Sequence, residues 1–194
     1  MSKRSTAVLV ATLLSATATA APETYTIDST HTFPSFEVNH LGFSTQRGRF
    51  NATTGTVVLD RAQGKVEANI SIDARSISTG VAKLEEHLRA EDFFFVAKHP
   101  TITFRSTKAR FNGEKLVALD GELTMRGVTR PVTLTVTAFH CGLNPIVKKQ
   151  ACGADAVTTV KRSDFGINYA LPAVADEVKL LIQVEAHKEQ GAAR

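Results

Sequence analysis

Val66, Ala68, Ile70 and Ile72 alternate with Glu67, Asn69, Ser71 and Asp73. A period of two sends one set to a buried face and the other toward water, the pattern of a half-buried strand. The pattern returns twice. Val132, Leu134, Val136 and Ala138 alternate with Thr133, Thr135 and Thr137, and Val178, Leu180, Ile182, Val184 and Ala186 with Lys179, Leu181, Gln183, Glu185 and His187. Stretches at 24–28, 33–41, 47–59, 101–110, 115–124 and 155–161 read as further strands. Asp60–Gly64, Asn112-Gly113-Glu114 and Arg126-Gly127-Val128 punctuate them; Asn112-Gly113 suits a hairpin tip because both residues tolerate positive φ. One segment breaks the period. Val81, Leu84 and Leu88 form a helical stripe, Ser78 or Thr79 is available as cap, and a helix is predicted over about 79–91. About eight short antiparallel strands with one inserted helix define an all-β domain, a closed barrel or a sandwich. A barrel of that size is filled by its own side chains or holds one small ligand.

The first twenty residues stand apart. Lys3 and Arg4 precede an apolar run, Ala7–Leu14, and Ala18-Thr19-Ala20 fits the small-x-small cleavage rule. Residues 1–20 therefore read as a signal peptide and 21–194 as a single exported domain, which places the expectation in the periplasm. No later apolar stretch is long enough to span a bilayer as a helix. Without Lys3 and Arg4, 21 basic residues face 19 acidic ones, and no basic cluster is interleaved with aromatics; nucleic acid is not an expected partner. The two cysteines, Cys141 and Cys152, lie in the exported part. An oxidising compartment favours a disulfide, worth about 3 kcal/mol in the chain-entropy model, over an incomplete zinc set with His140.

Motifs for covalent chemistry are missing. There is no Gly-x-Ser-x-Gly, no phosphate-binding glycine loop, no His-Glu-x-x-His and no dinucleotide fingerprint. The six histidines form no His-x-His or His-x-x-x-His pair, so no metal site and no cofactor is expected. In the stretch Phe36–Gly42, His40 falls in line with Phe36 and Val38. It is either one polar group on a ligand-facing wall or a histidine bonded to a neighbouring carbonyl, and Gly42 leaves room for a ligand or a bend. The run Phe93-Phe94-Phe95 either packs the helix onto the sheet or lines the mouth of an apolar cavity.

Several ordered motifs resemble the YceI-like proteins. They are Asp28-Ser29-Thr30-His31-Thr32 with Phe36-x-Val38-x-His40-Leu41-Gly42; Gly48-x-Phe50, Gly55 and Asp60; His87-Leu88 with Asp92-Phe93-Phe94; and Pro100-x-Ile102-x-Phe104-x-Ser106. Gly121-x-Leu123 through Arg126-Gly127 to Val132 and Arg162-Ser163-Asp164-Phe165-Gly166 complete the series. The likeness runs from Tyr25 to about Lys188. It implies an eight-stranded antiparallel, lipocalin-like barrel with an apolar tunnel for a polyisoprenoid or another long amphipathic lipid. The chain departs from the family's pattern at Phe95, where an acidic residue is usual, which implies a more apolar tunnel mouth.

On this footing the chain is expected to be a non-enzymatic lipid carrier. The tunnel wall is assigned to Phe36, Val38, His40, Ile70, Ile72, Phe93, Phe94, Phe104, Leu134, Val136 and Ile182. Head-group contacts are assigned to His31, Arg126, Arg162 and Asp164. A homodimer and transient membrane contact are compatible with this reading. The alternatives are a periplasmic enzyme acting on isoprenoid or quinone lipids, with His31, His40 and Asp164 as its only nominees, and a stress-response module with an incidental cavity.

Overall fold

A computed structural model describes residues 21–190. Eleven strand segments form one antiparallel sheet: β1 (Glu23–Ile27), β2 (Ser35–His40), β3 (Ser44–Phe50), β4 (Thr53–Asp60), β5 (Lys65–Asp73), β6 (Ile77–Ser78), β7 (Thr101–Asn112), β8 (Lys115–Met125), β9 (Val128–Leu143), β10 (Gln150–Lys161) and β11 (Val174–Lys188). The helix α1 (Ala82–Arg89) lies between β6 and β7. Three pairs of segments are single walls with a break. β1 and β2 both pair with β11, through Ile27↔Ala186 and Leu180↔Phe36; β3–β4 and β5–β6 continue the same division. Joined this way, the segments make a closed barrel of eight antiparallel strands. The seam is the pairing of the first strand with the last.

The expected strand at 47–59 is therefore two segments broken at Asn51–Ala52. Ser76 occupies the break: its hydroxyl oxygen accepts the Asn51 and Ala52 amides at 3.1 and 3.0 Å. The helix is shorter than 79–91, and neither Ser78 nor Thr79 caps it through its side chain. Val81 is the N-cap residue, and the Glu85 carboxylate accepts the Thr79 and Gly80 amides instead, at 2.7 and 3.0 Å. At the 112–115 turn only Gly113 has positive φ, while Asn112 remains in β7.

Bulges reset which residues face inward. In β9 the register against β10 shifts beside Val136, and the Thr137 hydroxyl donates to the Asp155 carbonyl at 3.2 Å. One extra residue reverses the alternation. Val132, Leu134 and Val136 pack inward before the bulge, whereas Phe139 and Cys141 do so after it. Ala138, expected on the inner face, is exposed. The β5–β7 ladder runs only from Asn69↔Arg105 to Asp73↔Thr101. Beyond it the strands part, and the Ser106 hydroxyl bridges the gap by accepting the Ala68 amide and donating to the Val66 carbonyl.

Two apolar clusters occupy the ends of the barrel. At the helix end, Phe50, Ile77, Leu88, Ile102, Met125 and Phe165 pack together. At the other end are Tyr25, Leu59, Val66, Leu116, Leu119 and Ala186. There Cys141 and Cys152 are opposed across β9–β10, Cα atoms 4.1 Å apart, and form a disulfide.

Candidate functional site: an apolar lumen

Between the two clusters the barrel is hollow. Ile70, Leu134, Ile182 and Val184 face inward from three different strands, β5, β9 and β11, yet each is only half-buried, because their inner surfaces border a cavity rather than a neighbour. The cavity offers about 290 Å³ to the centre of a water molecule, where a single water needs about 10–15 Å³. Most of its wall is aliphatic and aromatic. Thr53 lies on it with a buried hydroxyl that has no partner among the described residues. A second, more polar hollow between β5 and β7 is the outer side of the parted ladder.

The only charged residue on the cavity wall, among those described, is Arg162. It opens the 3₁₀ turn Arg162–Phe165 and is 6% exposed. Its Nε donates to the Ala175 carbonyl at 2.9 Å, Nη1 to Ile167 and Tyr169 at 3.2 and 2.8 Å, and Nη2 to Val174 at 3.0 Å. A guanidinium carries five N–H groups, so one has no acceptor among the described residues. Burial lowers the Arg162 pKa, and the charge of Asp176 acts against that shift. Asp176 accepts the Ser163 amide and hydroxyl at 2.9 and 2.7 Å, which hold its carboxyl below the usual range. Together these bonds fix the 162–174 segment at the helix end. Beside it, the His87 ring meets Phe93 and Tyr169 edge to face and those two rings are tilted against each other, with ring centroids 4.9–5.4 Å apart.

The wall assignments land unevenly. Phe36, Val38, Ile70, Ile72, Phe93, Phe94, Phe104, Leu134 and Ile182 border the cavity. Val136 instead packs against the disulfide-end cluster. His40 is a correction: it is exposed in the β2–β3 hairpin, where Leu41 and Gly42 both have positive φ and the Phe43 amide donates to the His40 carbonyl. The turn ends the strand at His40 and carries its side chain away from the wall. Gly42 serves that turn rather than making room, since a Cβ there would meet nothing within 4 Å. Phe95 is a further correction: its ring lies against His99, 6.0 Å between centroids, and it does not border the cavity.

The four head-group assignments do not converge. Arg126 binds the carbonyls of Glu91 and Phe93 and holds the Phe93-Phe94 turn in place. Asp164 is exposed in the 3₁₀ turn. His31 lies on the outer wall, in the break between β1 and β2, where its Nδ1 is 2.8 Å from Asp28 Oδ2. Burial pushes the Asp28 carboxyl up, but hydrogen bonds from Thr30 and His31 outweigh it and hold the pKa at about 2; the same carboxylate raises that of His31. His31, His40 and Asp164, the nominees for an enzyme, do not gather in one cluster among the described residues. Sequence reasoning missed Thr53 and the carbonyl-clasping role of Arg162, because nothing local in either stretch marks them.

A closed antiparallel barrel around an apolar lumen defines a hollow, lipocalin-like binding fold. The YceI-like domain matches residues 25–186, and the chain belongs to the YceI-like family. It is similar to protein YceI of Salmonella arizonae, 35% identical over 193 residues, covering 98% of this chain and 100% of that one. The YceI protein of Campylobacter jejuni, known as a crystal structure, superposes with a TM-score of 0.64 at 26% identity over 78% of this chain and 90% of that one. A polyisoprenoid binding domain from Saccharophagus degradans shares the fold, with a TM-score of 0.64 at 16% identity over 85% of this chain and 98% of that one.

Proposed function

We propose that the chain is a carrier that holds a polyisoprenoid or similar long-chain lipid in its lumen. The hollow waist carries this reading: Ile70, Leu134, Ile182 and Val184 leave apolar surface facing empty space. A chain threaded there gains about 0.8 kcal/mol per buried methylene, so tight binding needs no covalent step. The neighbouring polyisoprenoid binding domain supports the ligand class through its shared fold. Arg162, with one N–H lacking an acceptor among the described residues, and Thr53, with a hydroxyl lacking a partner among them, supply the few polar contacts that orient an amphipathic ligand in an apolar pocket. Residues 1–20 lie outside the described residues; as a signal peptide they would deliver the carrier to the periplasm.

The test is an equilibrium titration of delipidated protein with prenyl alcohols of increasing length. Affinity is expected to rise steeply with chain length until the lumen is full. Affinity independent of length contradicts the reading.

A further inference from the structure

The six histidines form no motif in the sequence, but the fold brings two of them to one carboxylate. Asp28 and His31 lie in the break between β1 and β2. Glu185 and His187 lie on β11, on the outer face opposite the lumen-bordering Val184 and Ala186. The backbone fixes this meeting across the seam. Thr26 is opposite His187, the Asp28 amide donates to the Glu185 carbonyl at 2.9 Å, and the Glu185 amide donates to the Thr32 hydroxyl at 3.1 Å. Thr30 takes up Asp28 Oδ1, with its amide at 2.9 Å and its hydroxyl at 2.6 Å. That leaves Oδ2 facing His31 Nδ1 at 2.8 Å and His187 Nε2 at 3.9 Å. His31 Nδ1 also lies 3.1 Å from the Thr30 hydroxyl.

His187 supplies a second observation. Its Nε2 is buried and has no hydrogen-bond partner among the described residues, although it points at the carboxylate. A buried nitrogen left unpaired is costly and calls for an explanation. One donor atom each from Asp28, His31 and Glu185 already fit within 4.8 Å of one another; His187 stands just outside that trio, with its Nε2 3.9 Å from Asp28 Oδ2. In a tetrahedral site with bonds of about 2.0–2.1 Å, donor atoms lie about 3.3 Å apart. The 2.8 Å contact would open by about half an ångström, and the His187 ring would turn inward from 3.9 Å to join the trio it now flanks.

We propose that Asp28, His31, Glu185 and His187 form a divalent-metal site, suited to Zn²⁺, that clips the barrel seam from outside. Two imidazoles and two carboxylates are a donor set that zinc accepts. Binding displaces the proton shared by His31 and Asp28 and gives His187 Nε2 its missing partner. The ion ties the first strand to the last, which no local hairpin connects. It touches no cavity-bordering residue, so the site is independent of the lipid reading.

The test uses the mature chain, untagged and stripped with a chelator, titrated calorimetrically with Zn²⁺ alone and melted with and without it. One saturable Zn²⁺ per chain is expected, together with a rise in Tm. His187→Gln and His31→Gln should each weaken binding at least tenfold and abolish the rise, while His140→Gln should change neither. His31 is exposed, so its variant remains informative if His187→Gln fails to fold. Lack of saturable uptake overturns the proposal, as does weak multi-site uptake that the His31 and His187 variants leave unchanged.

Discussion

Ile70→Trp obstructs the lumen at its waist. Ile70 packs against both end clusters and presents its remaining surface to the cavity, so a larger side chain extends into empty space rather than into a filled core. The fold should tolerate it. The main cost is the indole N–H, about 1–3 kcal/mol if it finds no partner, or several degrees in Tm for a chain of this size. The cost to binding is larger. A lipid stopped at the waist leaves at least one five-carbon isoprene unit outside, worth about 4 kcal/mol at about 0.8 kcal/mol per carbon, or about a thousandfold in Kd. The chain contains no tryptophan, so the substitution also installs a unique fluorophore in the lumen. Its emission should be that of an apolar environment, and prenyl alcohol titration should show the thousandfold loss. A variant that melts cooperatively, shows buried emission and binds the long lipid as tightly as the parent chain refutes the reasoning.

Three further outcomes follow from the same geometry. At Gly121, a Cβ would collide with the Phe104 ring and come within 2.5 Å of the Arg105 carbonyl oxygen; Gly121→Ala should cost about 1–3 kcal/mol in urea unfolding. Arg162→Met leaves the Ala175, Ile167, Tyr169 and Val174 carbonyls without their donor. It should cost about 3–5 kcal/mol, and hydrogen exchange should locate the loosening in residues 162–174. The Asp176 carboxyl is held down by Ser163, so its contribution is complete above its unfolded pKa of about 3.9 and is lost as pH falls through the lower folded value. The stability difference between the parent chain and Asp176→Asn should therefore be constant at neutral pH and shrink in acid.

The inward face of β5 was legible because alternation is local and that strand runs unbroken through Val66, Ala68, Ile70 and Ile72. β9 shows the limit. A bulge at Thr137 reverses the alternation, and bulges depend on the partner strand, so Ala138 was assigned to the wrong face. His40 misled for a related reason. His-Leu-Gly-Phe reads equally as a strand continuing or as a tight turn, and the positive φ of Leu41 settles which: Leu41–Phe43 form a three-residue connection between the paired His40 and Ser44. Arg162 was legible as a residue but not in its role, since its four acceptors lie 5 to 13 positions away along an irregular segment. The Asp28–His187 cluster had no local signal: its halves meet only when the barrel closes.

Native mass spectrometry of the mature protein, purified without detergent from the cells that make it and then extracted with organic solvent, tests the carrier reading most directly. The account predicts a stoichiometric adduct that extracts as a long prenyl chain. A bare polypeptide mass that also stays unchanged after incubation with long prenyl lipids would contradict it.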